Sequence, residues 1–464
     1  MKKITAVILS VLLCMVFSAC TAGETASTAG SAPSSSLPSS SPSSGNPSSS
    51  NPSSSAPSDI SSGQVSRPEA KPEQDNTPNV TPPENTLHKD HLTYTVLSDI
   101  QKVYYEAMHT AVENMNSSWI ALGPHTEKYA ADVAIVRAAL VSDHPEIFWL
   151  PSYYITAVGR DAEGGATALI MFSSSPEVSP AYSVTRSEKA YMAKELSDAV
   201  EKITAMVTGE TPFEIELQLH DILCSMVEYS DSEADGLIYT AYGALVEGKA
   251  LCEGYSRAMQ LLLSRFGILS TTVSGTADGE GHMWNAVNIE GEWYHLDATW
   301  NDISGQSTSH EYFNITDSEI LLDHTFSKNH TEFTSEQLSS GQVSFNIIRP
   351  ACTALDADYF VKRGFFFTPD KMLTLAELLL SEAEAMVEVK FADSEVRDDF
   401  VRNYNHYFEE LNAEIMLTNP DADFYVGRVA VSSLTMRIYK TEKEEASNEA
   451  SSFLGNRERG TGNR

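Results

Sequence analysis

"HMWNAVNIEGEWYHLDATW", His282 to Trp300, alternates apolar and polar residues on both sides of Glu290-Gly291. Alternation with a period of two marks a strand with one covered face, and a two-residue turn ending in glycine joins two such strands into a hairpin. With Glu290 and Gly291 as the turn, residues that face each other have numbers summing to 581, so Trp284 faces Asp297 and His282 faces Thr299. Cross-strand partners share a face, as do residues two apart. His282 and Asp297 thereby become diagonal neighbours within reach of an imidazole–carboxylate hydrogen bond. A slip of one residue would put them on opposite faces. His295 shares the face and is the rival base, but it lies beside Asp297 on one strand, where side chains diverge. Trp284 is read either as a packed aromatic beside His282 or as a substrate contact. Asn285 points to the other face and is given no role.

A carboxylate bonded to an imidazole fixes its tautomer, and such an imidazole can deprotonate a thiol or pair with its thiolate. The thiol stands upstream in "GKALCEGYSRAMQLLLSRFGI", Gly248 to Ile268. Leu251, Tyr255, Ala258, Met259, Leu262 and Phe266 recur at helical spacing, and Gly267 supplies a stop. Cys252 then falls in the first turn, where unpaired amides and the positive end of the helix dipole favour thiolate and can hold an oxyanion. The plain alternative is a small residue filling space behind a helix start.

Taken in order, the cysteine helix, Gly275 with "GHMWN", and "GEWYHLDATWND" resemble the transglutaminase-like superfamily of papain-type cysteine enzymes, specifically its bacterial exported members. The motifs span Gly248 to Asp302, and "YGALVEG" before and "EYFNITDSEILLDHTF" after extend the likeness to roughly residues 211–326. The resemblance implies an α+β fold: a papain-like core with a cysteine-bearing helix packed on an antiparallel sheet, flanked here by N- and C-terminal α+β extensions. It implies a triad of Cys252, His282 and Asp297 acting on amide bonds through a thioester, with water or an amine as acceptor. The side chain completing an oxyanion hole is left unassigned. Peptide, protein or peptidoglycan-peptide substrates fit this chemistry, and a non-catalytic surface binding module is the other class of reading.

The rest of the chain sets the context. Its 464 residues carry a net charge of -33, which excludes the basic footprint of a nucleic-acid binder. Lys2 and Lys3 precede a short apolar run that ends in Phe17-Ser18-Ala19-Cys20, which resembles a bacterial lipobox. That implies a signal peptide over 1–19, lipidation of Cys20, and a folded part held outside the cytoplasm at a membrane. An ordinary secretory signal cut after Ala19 is the alternative. Residues 20–87, rich in Ser and Pro, read as a disordered linker, and 441–464 as a disordered tail. Between them lie 88–210 (α+β), the core at 211–326, and 327–440 (α+β). In the last segment "DYFVKRGFFFT" reads as a strand and "SEVRDDFVRNYNHYFEEL" as one helix. Once Cys14 and Cys20 are set aside, Cys224, Cys252 and Cys352 remain, so at most one disulfide can form among them. Cys224 sits among Leu217, Ile222 and Leu223 as a core thiol. No HExxH and no paired cysteine spacing occurs, so no metal or other cofactor is expected.

Overall fold

The computed structural model describes residues 91–442 except 152, 174–183, 232–235, 303–307 and 365. The expected signal peptide with Cys20, the expected Ser/Pro-rich linker and residues 443–464 of the expected tail lie outside these residues, whereas Thr441 and Glu442, read as tail from the sequence, complete the strand Thr435–Glu442 and pair with Tyr425 and Phe424. No helix among those described is long and apolar enough to cross a membrane.

Glu290 and Gly291 both take positive φ, 55° and 97°, the backbone of a tight two-residue hairpin turn. The turn fixes the ladder between Glu280–Ile289 and Glu292–Leu296. Asn285 pairs with Leu296, Ala286 with His295 and Ile289 with Glu292, numbers that sum to 581 as the sequence demands. The strand stops at Leu296, three residues before the Thr299 that the alternation pairs with His282. Asp297 is the N-cap of a short helix, Ala298–Asn301, so Thr299 turns away and never faces His282.

The hairpin lies inside a five-stranded sheet, entirely antiparallel, in the order His324–Phe326, Ser270–Ala277, Glu280–Ile289, Glu292–Leu296, Phe313–Ile315. The strand period splits its side chains between two cores. Val287 and Ile289 join a large apolar cluster with Tyr255, Met259 and Leu262 of the cysteine helix, Cys252–Ser264. Trp284 and Ala286 join a smaller cluster with Val273, Tyr312, Ile315 and Ile320. The preceding helix, Pro212–Met226, starts on a capping box in which Thr211 and Glu214 each accept the other's backbone N–H.

The N-terminal segment contributes the antiparallel sheet of Ile120–Pro124, Ala166–Ser173 and Tyr153–Arg160, with helices Asp99–Glu113 and Tyr129–Asp143. It shares its core with the cysteine helix, since one apolar cluster runs from Tyr94 through Leu262 to Ala357. Gln260 of that helix donates to the Ser142 carbonyl at 2.7 Å. The C-terminal segment is divided: Leu338 and Ala357 belong to that same cluster, while Phe367 to Ile438 form a core of their own. Two sequence expectations there need correction. Asp358 caps the N–H groups of Phe360 and Val361, which turns Tyr359–Arg363 into helix, and Gly364 ends it in the left-handed conformation; only Phe366–Phe367 is strand. The helix expected from Ser394 breaks at Asn403 into Ser394–Arg402 and Tyr404–Thr418.

An ionic seam joins this segment to the core. Lys390 bonds Glu319 at 2.6 Å and Asp358 at 2.7 Å, and Glu388 accepts from the Ser309 hydroxyl and the His310 N–H. Buried ion pairs of this kind give register and specificity more readily than net stability.

Gly275 decides whether the edge strand can dock. It lies opposite His282 on one side and Phe326 on the other. A Cβ there would stand 1.8 Å from the Thr325 carbonyl oxygen and 2.8 Å from the Trp284 ring. Gly275→Ala should therefore cost about 2 kcal/mol or more of stability, measured as a lower denaturant midpoint with an unchanged slope.

Candidate active site

The cysteine helix begins at Cys252, after Leu251 in extended conformation. Its first turn is clamped to the sheet. The Ser256 hydroxyl lies 2.8 Å from the Cys252 carbonyl and 3.0 Å from that of Met283, the residue after His282. Asn285, given no role from the sequence, has one: its amide donates to the Ser256 carbonyl at 3.0 Å and pins the helix to the strand. The face opposite His282 is the face that meets the helix, so the register was right and the inference of idleness was wrong.

His282 and Asp297 meet as the diagonal geometry requires, Nε2 to Oδ2 at 2.6 Å. Bonding Nε2 to a carboxylate leaves Nδ1 as the ring nitrogen for proton exchange. Asp297 is fully buried and accepts four N–H bonds. Oδ1 takes the backbone N–H groups of Thr299 and Trp300, and Oδ2 takes His282 together with His324 at 3.2 Å. Burial works to raise its carboxyl, but His282 and then His324 outweigh that and hold it well below the usual carboxylate range.

His295 is committed elsewhere. Trp284 Nε1–H donates to its Nδ1 at 3.0 Å, which forces the proton onto Nε2, and Nε2 donates to Asp317 at 2.7 Å. Both nitrogens are spent, so His295 cannot serve as the base. Trp284 is 1% exposed and packs behind His282, its ring nearly parallel to the imidazole, which is the packed-aromatic reading and leaves no face for a substrate.

Cys224, Cys252 and Cys352 are all buried, and none forms a disulfide among the described residues. Burial pushes the Cys224 thiol well up and the Cys352 thiol up to about 12, so neither is suited to act as a nucleophile. Cys224 rests under the Asp297 turn, 3.4 Å from the Ala298 carbonyl.

Three groups bring ligand-type atoms together: His220, Asp221 and His310; His295, Asp317 and Cys352; and His282, Asp297 and His324. Hydrogen bonding accounts for the first two. Asn301 accepts the Tyr312 N–H on Oδ1, so its amide must donate to His220 Nε2, which places the His220 proton on Nδ1 facing Asp221. The His295 proton is fixed in the same way.

His324 is the site residue the sequence analysis missed. It lies within "EYFNITDSEILLDHTF", yet nothing local shows that the edge strand returns it to Asp297. Its Nδ1 bonds Asp323 at 2.6 Å as well. Burial opposes its charge, but the bonds to Asp297 and Asp323 prevail and raise it to about 9.

The sequence profile of the core of the transglutaminase-like superfamily matches residues 198–298, and this stretch is a transglutaminase-like domain. Kyphoscoliosis peptidase of Mus musculus is 26% identical over 117 residues, 22% of this chain and 18% of the relative. The Homo sapiens protein of that name is 29% identical over 93 residues, 17% of this chain and 14% of the relative. The chain thus spans less than a fifth of the length of these relatives. A solved structure described as a TGase aligns with a TM-score of 0.24 at 12% identity, over 33% of this chain and 46% of that one.

The raised pKa of His324 has a sign in stability. It lies above the ordinary 6.5, so its contribution is full below about pH 6.5 and is lost as pH rises through about 9. The melting temperature of the wild-type chain should fall across that window by more than that of His324→Gln. Parallel slopes in a calorimetric pH series would contradict this.

Proposed function

We propose that the chain is a cysteine-dependent acyl-transfer enzyme that cleaves amide bonds in envelope proteins or wall peptides, held at a membrane surface by a lipid on Cys20. The observation that carries the reading is the 2.6 Å bond between His282 Nε2 and Asp297 Oδ2, which turns Nδ1 to proton transfer. The clamp from Ser256 to the Met283 carbonyl supports it by tying the start of the cysteine helix to the His282 strand.

In this mechanism Nδ1 of His282 takes the Cys252 proton and the thiolate attacks the amide carbonyl. Backbone N–H groups of the first helical turn stabilise the developing oxyanion. The imidazolium gives its proton to the departing amine, leaving a thioester. Water, deprotonated by Nδ1, then attacks; the acid leaves and the thiol regains its proton. An amine in place of water would give a cross-linked product. The name peptidase borne by the relatives favours water.

Cys252→Ala should abolish release of amine from peptide amides while leaving the circular dichroism spectrum intact; persisting turnover would sink the mechanism. Asp297→Asn should lower kcat by about 10²–10⁴-fold with a smaller change in KM. Incorporation of a fluorescent primary amine into protein, in competition with hydrolysis, separates the two acceptors. A chain that neither hydrolyses nor incorporates is a binding module.

A further inference from the structure

His324 is 1% exposed, ringed by Trp284, Trp300 and Tyr312, and the proposed chemistry does not use it. Each of its nitrogens faces a carboxylate: Nδ1 to Asp323 at 2.6 Å, Nε2 to Asp297 at 3.2 Å. A carboxylate only accepts, so both nitrogens must carry protons and the ring is a cation. The alternative, a protonated Asp297, could carry its proton only on Oδ2, because Oδ1 already accepts two backbone N–H groups, and the two imidazoles on Oδ2 hold this carboxyl well below the usual carboxylate range. Asp323 is held in turn by the Tyr312 hydroxyl at 2.7 Å and by the Ser433 hydroxyl, from the C-terminal segment, at 2.5 Å.

His282 and His324 therefore compete for one oxygen. A buried carboxylate at 2.6 Å, left to itself, would stabilise the His282 imidazolium and hinder release of its proton, a step that the proposed acid–base chemistry needs. We propose that His324 is a cationic positioning residue: by sharing Oδ2 of Asp297 it fixes that carboxylate and weakens its hold on the His282 proton. The ring centroids are 5.4 Å apart. A like charge at that distance, at effective dielectric constants from about 20 to 80, lowers a histidine by between about half a pH unit and two. The groups facing His324 are Asp297 and Tyr312, His282 on the sheet, His295 beyond Trp284, and Asp323 immediately before its strand; among these the two carboxylates oppose the like-charge effect of the rings. The relevance to turnover rests on the proposed function, whereas the charge relation does not.

The test is imidazole nitrogen NMR on the full chain with ¹⁵N-labelled histidine, titrated from pH 5 to pH 10 in a range chosen to bracket both rings (about two units either side of neutrality and beyond). In the wild type, His324 should show both nitrogens protonated at neutral pH. In His324→Gln, which keeps a donor to Asp297 but no charge, the His282 midpoint should rise by about one pH unit. Asp323→Asn touches neither His282 nor Asp297 and should lower the His324 midpoint by removing the anion on its Nδ1, which covers the case of a poorly folding His324 variant. A neutral His324 in the wild type, a His282 midpoint unmoved in His324→Gln, or a His324 midpoint unmoved in Asp323→Asn overturns the proposal. Absence of wild-type turnover would count against the proposed activity alone, because the ring titration reads the coupling without it.

Discussion

A carboxylate with no exposure to water, Asp297, sets the terms for everything around it. An unpaired ion in that position would be destabilising by several kcal/mol, so each of its lone pairs has to be answered from inside the protein. Four donors answer them, and each imposes a condition on the fold. The Thr299 and Trp300 amides require a helix to start where the strand ends. The His282 bond requires the Glu290-Gly291 register and no other. The His324 bond requires an edge strand that approaches Gly275 too closely for any side chain there.

Much of this was legible because it was local. The turn at Glu290-Gly291 fixes the ladder within a few residues, and helical spacing from Leu251 to Phe266 places Cys252 in a first turn. What escaped depended on groups far apart in sequence. Nothing near His324 announces that 27 residues after Asp297 the chain comes back to the same oxygen. The choice between His282 and His295 was reached from strand geometry, but the physical reason lies in a tautomer set by the Trp284 indole. Asn285 was set aside because its face was opposite the histidine, when that face is the one the cysteine helix needs. In the C-terminal segment, apolar runs looked like strand until the Asp358 cap and Gly364 made part of one a helix.

The two flanking segments are attached by different physics. The N-terminal one merges its apolar core with the cysteine helix, an association that depends on buried area and responds little to salt. The C-terminal one puts Leu338 and Ala357 into that same core, but its residues from Phe367 onward keep a separate apolar core that is tied to the rest by Lys390, Glu388 and Ser433. Contacts of that kind depend on geometry, and they concentrate where the carboxylates near the site lie.

The Ser433–Asp323 bond also bears on where the smallest working unit ends. The transglutaminase-like match stops at residue 298, just past the last member of the Cys–His–Asp set. The hydrogen-bond network does not stop there. The carboxylate at 297 is bonded by a ring at 324, that ring also bonds a carboxylate at 323, and that carboxylate accepts from a hydroxyl at 433. A fragment trimmed to the matched residues would hold Cys252, His282 and Asp297 and leave the interior carboxylate short of one of its four bonding partners. The profile match marks one extent, whereas the hydrogen-bond network around Asp297 reaches more than a hundred residues further along the chain.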